Sequence, residues 1–234
     1  MLERVHRLLG ERAPEGMPFP ATRPYSLFAR SRFMRGFYRQ VASEVAVELS
    51  QGRILDVGTG PGYLPIEIAR SAPRVEVVGI DVSSDMVRIA RRNAERAGLS
   101  SRVRFMVEDA NRMPFENSYF DLIVSTGSLH HWREPLRVMN EIHRVLRDGG
   151  QAWIYDLQRD APEDVVARKL AEYGYRGLGK LAGLILYNAI KLHSSITLHE
   201  VLSILEDERN RFRQYHVEEN WRSYPVLKVR LLKG

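Results

Sequence analysis

Ile54-Leu55-Asp56-Val57-Gly58-Thr59-Gly60-Pro61-Gly62, followed by Val77-Val78-Gly79-Ile80-Asp81, decides the fold of this chain. The first stretch reads as a buried apolar strand that breaks into a glycine turn and then a helix. The second reads as another apolar strand, ending on an acid 19 residues beyond Gly62. In an open α/β sheet that arrangement is a nucleoside site. Glycines let backbone approach the ligand closely, and a carboxylate at the next strand end accepts hydrogen bonds from ribose hydroxyls.

The spacing narrows the ligand. A dinucleotide fingerprint runs G-x-G-x-x-G and turns a helix N-terminus toward a pyrophosphate. Here the glycines at 58, 60 and 62 run G-x-G-x-G, and Asp56 stands two residues before the first. A carboxylate there repels a pyrophosphate but suits an ammonium and a sulfonium, the charges of S-adenosylmethionine (SAM). At this point the chain resembles the class I SAM-dependent methyltransferases. Val107-Glu108-Asp109-Ala110 is similar to that family's adenine-contacting segment. Phe120-Asp121-Leu122-Ile123-Val124-Ser125 with Leu129-His130-His131-Trp132 resembles its fourth-strand motif, and Glu141 to Gly150 its turn into the fifth strand. The resemblance is close over residues 38–157 and looser beyond, and it points to the branch containing quinone-biosynthesis and other small-molecule methyltransferases. It implies a doubly wound, Rossmann-like α/β fold: a mostly parallel seven-stranded sheet with helices on both faces and the last strand antiparallel.

Composition agrees with one soluble globular domain plus an embellishment, since 234 residues suffice for a full core. With no cysteine there is no disulfide, thiolate metal site or cysteine nucleophile, which fits a reducing cytoplasm. The opening Met1-Leu2-Glu3-Arg4 lacks the apolar core of a signal peptide. A net charge of +6 could attract nucleic acid or anionic lipid. However, the arginines alternate with acids, as from Arg88 to Arg96, and read as solvated helix faces. Nucleic acid is therefore disfavoured as a partner.

Residues 2–12 read as an amphipathic helix and the prolines at 14, 18, 20 and 24 as an extended linker. A helix over 32–49 places Phe37, Val41, Val45 and Val47 near one stripe. Strands near 53–58, 75–80, 102–107, 119–125 and 150–156 then alternate with helices. Helix 62–71 carries Pro65 in its first turn, and helix 84–97 runs from Ser83 or Ser84 to a stop at Gly98. Pro135 starts a further helix that ends on Asp148-Gly149-Gly150. Helices over 162–173, 178–192 and 197–207 follow, then strands near 211–218 and 225–232. The domain reading is an N-terminal helical cap or lid over 1–50 and a SAM-binding domain over 51–234, with a helical insertion at 158–196. The apolar run near 178–192 is too short and interrupted to span a bilayer.

Cofactor contacts are expected at Asp56, Gly58, Thr59, Gly60, Gly62, Asp81, Val82, Met86, Asp109, Ala110 and Ser125. Asp56 would meet the ammonium directly or through water, and Asp81 the ribose. Val82 would pack on adenine. Asp109 would accept from the adenine amine, or else act as a helix N-cap ahead of Asn111. Ser125-Thr126-Gly127-Ser128 replaces the Asn/Asp-Pro-Pro-aromatic segment of base N-methyltransferases, which disfavours adenine or cytosine as acceptor. His130, His131 and Asp156 are the candidates for proton transfer, with Tyr155 a further candidate for the substrate pocket. Resemblance suggests instead that His131 and Trp132 line or support the cofactor site. No metal is expected, because adjacent histidines diverge and no spaced partner completes a ligand set. Tyr25, Phe28, Phe33 and Tyr38 would form a lid or simply pack the N-terminal helix. Segment 181–190 would be a second lid, a homodimer contact or ordinary core.

The function these features imply is in-line methyl transfer from SAM to a small, partly apolar acceptor. An RNA methyltransferase and a nonenzymatic SAM-binding protein are the alternatives. A nicotinamide oxidoreductase is opposed by the glycine spacing, by Asp56 and by the lack of a Tyr-x-x-x-Lys pair.

Overall fold

The computed structural model of the chain describes residues 31–191 and 194–234. The helix expected over 2–12, the proline linker, Tyr25 and Phe28 lie outside those residues. The described elements run α1 (Arg32–Glu48), β1 (Gln51–Val57), α2 (Tyr63–Ser71), β2 (Arg74–Asp81), α3 (Ser84–Arg96), β3 (Val103–Val107) and β4 (Phe120–Thr126). A 3-10 turn, Leu129–His131, precedes α4 (Pro135–Val145) and β5 (Leu146–Leu157), and a second, Trp221–Ser223, precedes the last strand. Then come α5 (Glu163–Glu172), α6 (Gly177–Lys191), α7 (Leu198–Leu205), β6 (Gln214–Glu218) and β7 (Val226–Leu232).

Seven strands form one sheet in the order β3-β2-β1-β4-β5-β7-β6. The first five pair in parallel, and β7 enters antiparallel between β5 and β6. The chain leaves β1 toward β2 and β3, then returns to β4 on the other flank. That reversal opens a crevice at the carboxyl ends of β1 and β4, where ligands bind in open α/β sheets.

Period-2 alternation splits the core into two layers. Ile54, Val77, Val124 and Tyr155 face α1, α2 and α3. Leu55, Val57, Ile80 and Ile123 face α4 and α7. In α1, Phe37, Val41 and Val45 are buried as the pattern predicts, whereas Val47 is 87% exposed. Two positions beyond Val45 is about 200° around a helix, so Val47 cannot share its stripe. Helix α4 also stops earlier than expected, at Val145, because Leu146 already pairs with Phe120 as β5 begins.

Caps follow side-chain chemistry. Ser83 accepts from the Met86 amide at the start of α3. Thr197 and Glu200 form a reciprocal capping box on α7. An ion-pair cluster ties α1 to β7: Glu44 accepts from Lys228 Nζ at 2.6 Å and from Arg222 Nε at 2.7 Å. Lys228 is buried beneath aromatic rings, with its Nζ 4.5 Å from the Trp153 centroid.

Candidate active site

The glycine turn between β1 and α2 is built on backbone that L side chains rarely adopt. Gly58, Gly60 and Gly62 have φ of 75°, 52° and 77°. A Cβ on Gly58 would stand 2.1 Å from Ser128 Oγ. Ser128 Oγ in turn donates to the Gly58 carbonyl at 3.2 Å, so the loop after β4 clamps the turn. Asp81, at the end of β2, closes it from the other side. Its Oδ2 accepts from Gly60 N–H at 2.9 Å and its Oδ1 from Ser83 N–H at 2.8 Å. Burial raises the Asp81 pKa, and those two amides oppose the rise. Each carboxylate oxygen keeps a second lone pair for a ligand hydroxyl.

A cavity of about 550 Å³ opens at these strand ends. One arm is walled by Gly58, Gly60, Asp81, Val82, Met86 and the Glu108–Asn111 segment. The structure therefore brings Gly58, Gly60, Asp81, Val82, Met86, Asp109 and Ala110 together on one surface. Asp109 Oδ1 also accepts from the Asn111 amide at 2.8 Å, but no helix starts there, so Asp109 caps a turn rather than the expected helix N-terminus. Four expected contacts stand elsewhere. Ser125 is fully buried and donates to the Val57 carbonyl at 2.8 Å, holding β4 to β1. Gly62 packs toward Phe105 and Ala90, and Thr59 toward Gly79. Asp56 shares the face of Ile54 and lies beneath the turn, 1% exposed. These four stand behind the cavity surface, Ser125 within the sheet and Asp56, Thr59 and Gly62 at the turn.

Asp56 is nevertheless unusual. Its Oδ1 is buried without a hydrogen-bond partner. Burial pushes its pKa up to about 7; the nearby Thr59 opposes the rise and the Asp81 charge adds to it. An unsatisfied carboxylate under a glycine turn is costly alone and suits a positive charge close above it. Together with Asp81 and the open glycines, it fits SAM: hydroxyl acceptors for the ribose, apolar Val82 and Met86 for the adenine, and buried negative charge near an ammonium.

The second arm is apolar. Phe33, Met34, Phe37 and Tyr38 of α1 line it with Tyr155, Val166, Leu170, Tyr175 and Tyr187. Its sequence signal was partial: Phe33, Tyr38 and Tyr155 were foreseeable, but Tyr175 and Tyr187 lie in segments without a motif. Between the arms stand His130, His131 and Asp156. Asp156 accepts from His130 Nδ1 at 2.7 Å and from the His130 backbone amide at 3.0 Å. This dyad fixes the His130 ring at the end of β5, with Nε2 buried and without a partner. The His131 ring lies on it, centroids 3.9 Å apart. His131 is exposed at the cavity rim; partial desolvation, and then the neighbouring His130, lower its pKa to about 4. Among the described residues no cluster of His, Asp and Glu could hold a metal ion.

Comparison with known proteins gives a consistent result. Residues 54–150 match the family described as methyltransferase domain. A demethylmenaquinone methyltransferase of Thermus thermophilus is 34% identical over 63% of this chain and 66% of its own length. The ubiquinone/menaquinone biosynthesis C-methyltransferase UbiE of Geobacter sp. is 32% identical over 45% of this chain and 46% of its own. The chain thus spans about half to two thirds of the curated relatives it matches. A solved protein of Methanococcus maripaludis assigned to the SAM-dependent methyltransferases shares the fold. Its TM-score is 0.74 at 21% identity, over 94% of this chain and 96% of that one. The plantazolicin methyltransferase BpumL, solved with S-adenosylhomocysteine (SAH), shares it at a TM-score of 0.64 and 18% identity, over 92% of this chain and 91% of that one.

Proposed function

We propose that this chain, which carries a class I SAM-dependent methyltransferase domain over residues 54–150, methylates a small, planar, apolar acceptor of quinol type. One observation carries the reading: the apolar aromatic arm is continuous with the nucleoside arm in a single cavity. The relatives named above act on quinone precursors by name, and the aromatic wall has the chemistry to stack such a ring.

SAM supplies an electrophilic methyl group on a sulfonium. The protein's contribution is alignment, which can supply on the order of 7–11 kcal/mol where positioning is good. Phe33, Phe37 and Tyr155 confine the acceptor, and α1 with α5 and α6 excludes water from the arm. Residues 33–38 of α1, with helices α5 and α6, act as the cover over this arm. An acceptor hydroxyl or ring carbon must lose a proton on methylation. His131 at the junction, lying beside the paired His130, would take it as a weak base whose lowered pKa passes the proton on to water. We assign the protein to the cytoplasm, where SAM is available.

The direct test is transfer of labelled methyl from SAM to a panel of acceptors. Short-chain naphthoquinols and benzoquinols should become labelled, and RNA should not. Labelling of RNA alone would overturn the reading.

Asp56 yields a further expectation. A bound ammonium depresses its pKa from about 7, so binding releases a proton near neutrality. SAH affinity should therefore rise as pH rises from about 6 to about 8, by up to roughly tenfold, while adenosine affinity stays flat. Calorimetry at the two pH values checks this. Equal pH dependence for both ligands would detach Asp56 from the ammonium.

A further inference from the structure

Helix α6 has two faces with different occupants. Gly183 and Tyr187 line the cavity. Leu178, Leu181 and Ile185 point the other way and are 85%, 54% and 62% exposed. At 3.6 residues per turn these three fall within about 60° of one another and form a stripe on the outside of the molecule. Contiguous apolar side chains left in water mark an interaction surface, whereas a single one needs no explanation.

The charge around the stripe indicates what covers it. There is no Asp or Glu between Glu172 and Glu200, while Arg176, Lys180 and Lys191 lie in that interval. The chain has only five lysines, and Lys169, Lys228 and Lys233 are buried in ion pairs. The remaining two are both on α6. On the helix wheel Lys180 and Lys191 sit about 110–130° from the centre of the stripe, beside Tyr187, with Lys191 Nζ 5.9 Å from that ring. From there their long stems reach round to lipid headgroups while the apolar side chains enter the acyl boundary. Among the described residues no helix is long and apolar enough to cross a membrane, so this segment would lie on a bilayer rather than span it.

We infer that the outer face of α6 docks on an anionic lipid surface, and that the cavity behind it receives its acceptor from that surface. The second clause rests on the apolar-acceptor reading; the first does not. Docking through α6 lays on the layer into which an apolar quinol partitions the same helix whose inner face, at Gly183 and Tyr187, walls the cavity.

The test is sedimentation of the full chain with vesicles of phosphatidylglycerol and phosphatidylcholine, against vesicles of phosphatidylcholine alone. The protein should pellet with the anionic vesicles, and less so at high salt. The triple variant L178S/L181S/I185S should bind them roughly tenfold or more weakly. K180E/K191E should lose several-fold and also lose the salt dependence. SAH affinity, measured by calorimetry, should be unchanged in both variants and shows that they are folded. Wild-type protein that stays in the supernatant would overturn the inference, as would a folded triple variant that pellets equally. A dimer that the triple variant converts to monomer, without vesicle binding by the wild type, would assign the face to a second copy instead. Sedimentation needs neither acceptor nor turnover. Failure of quinol methylation with intact vesicle binding would therefore sink the acceptor reading alone.

Discussion

Replacing Glu44 with alanine is expected to destabilise the protein by about 3–5 kcal/mol, the scale for breaking a buried ion pair. The variant leaves Lys228, 5% exposed, without its 2.6 Å partner beneath Trp153, Tyr155 and Trp221. It also removes the acceptor of the Tyr155 hydroxyl, at 3.3 Å, on a ring that lines the cavity. The pH dependence identifies the cause. Burial raises the Glu44 pKa, but the bonds and charges of Lys228 and Arg222 outweigh it, so the folded pKa lies below the ordinary 4.5. A depressed carboxylate contributes stability that is present above 4.5 and lost as pH falls through its folded pKa. The gap between wild type and E44A should accordingly narrow below pH 4.5. Denaturant unfolding at neutral and acid pH measures both quantities. A gap that does not depend on pH would mean that lost packing, not the ion pair, destabilises the variant.

Replacing Asp81 with alanine should weaken SAH binding by about 1.5–3 kcal/mol, the value of hydrogen bonds to a charged acceptor. Two losses combine. The ligand hydroxyls lose their acceptor, and Gly60 N–H and Ser83 N–H lose the bonds of 2.9 Å and 2.8 Å that shape the turn. Asp81→Asn keeps one acceptor oxygen and should fall between alanine and wild type. Calorimetry on variants with unchanged circular dichroism reads the effect. Wild-type affinity in folded D81A would place the ribose elsewhere.

The sheet and the nucleoside arm were legible because each rests on local signals. Apolar strands, glycines at 58, 60 and 62 and the acid at 81 carry their meaning within a few residues. The mostly parallel seven-stranded sheet with its last strand antiparallel is the expected one. Which way a side chain faces was harder to read. Asp56 and Ser125 are correctly placed at strand ends, yet alternation turns both into the sheet's covering layers rather than the crevice. The clamp by Ser128 and the place of Tyr175 in the aromatic wall were not legible, since they form only when segments distant in sequence meet. The His130–Asp156 pair shows both limits. Each residue stood out in sequence, but their 2.7 Å bond joins a 3-10 turn to the end of β5 across 26 residues.

A crystal structure of the chain with SAH and a short-chain naphthoquinol tests the central claim most directly. The account predicts the ribose on Asp81, the adenine between Val82 and Ala110, and the quinol ring against Phe37 and Tyr155 with its reactive edge toward His131. A quinol bound outside the α1–α6 wall, or a nucleoside away from Asp81, would contradict it.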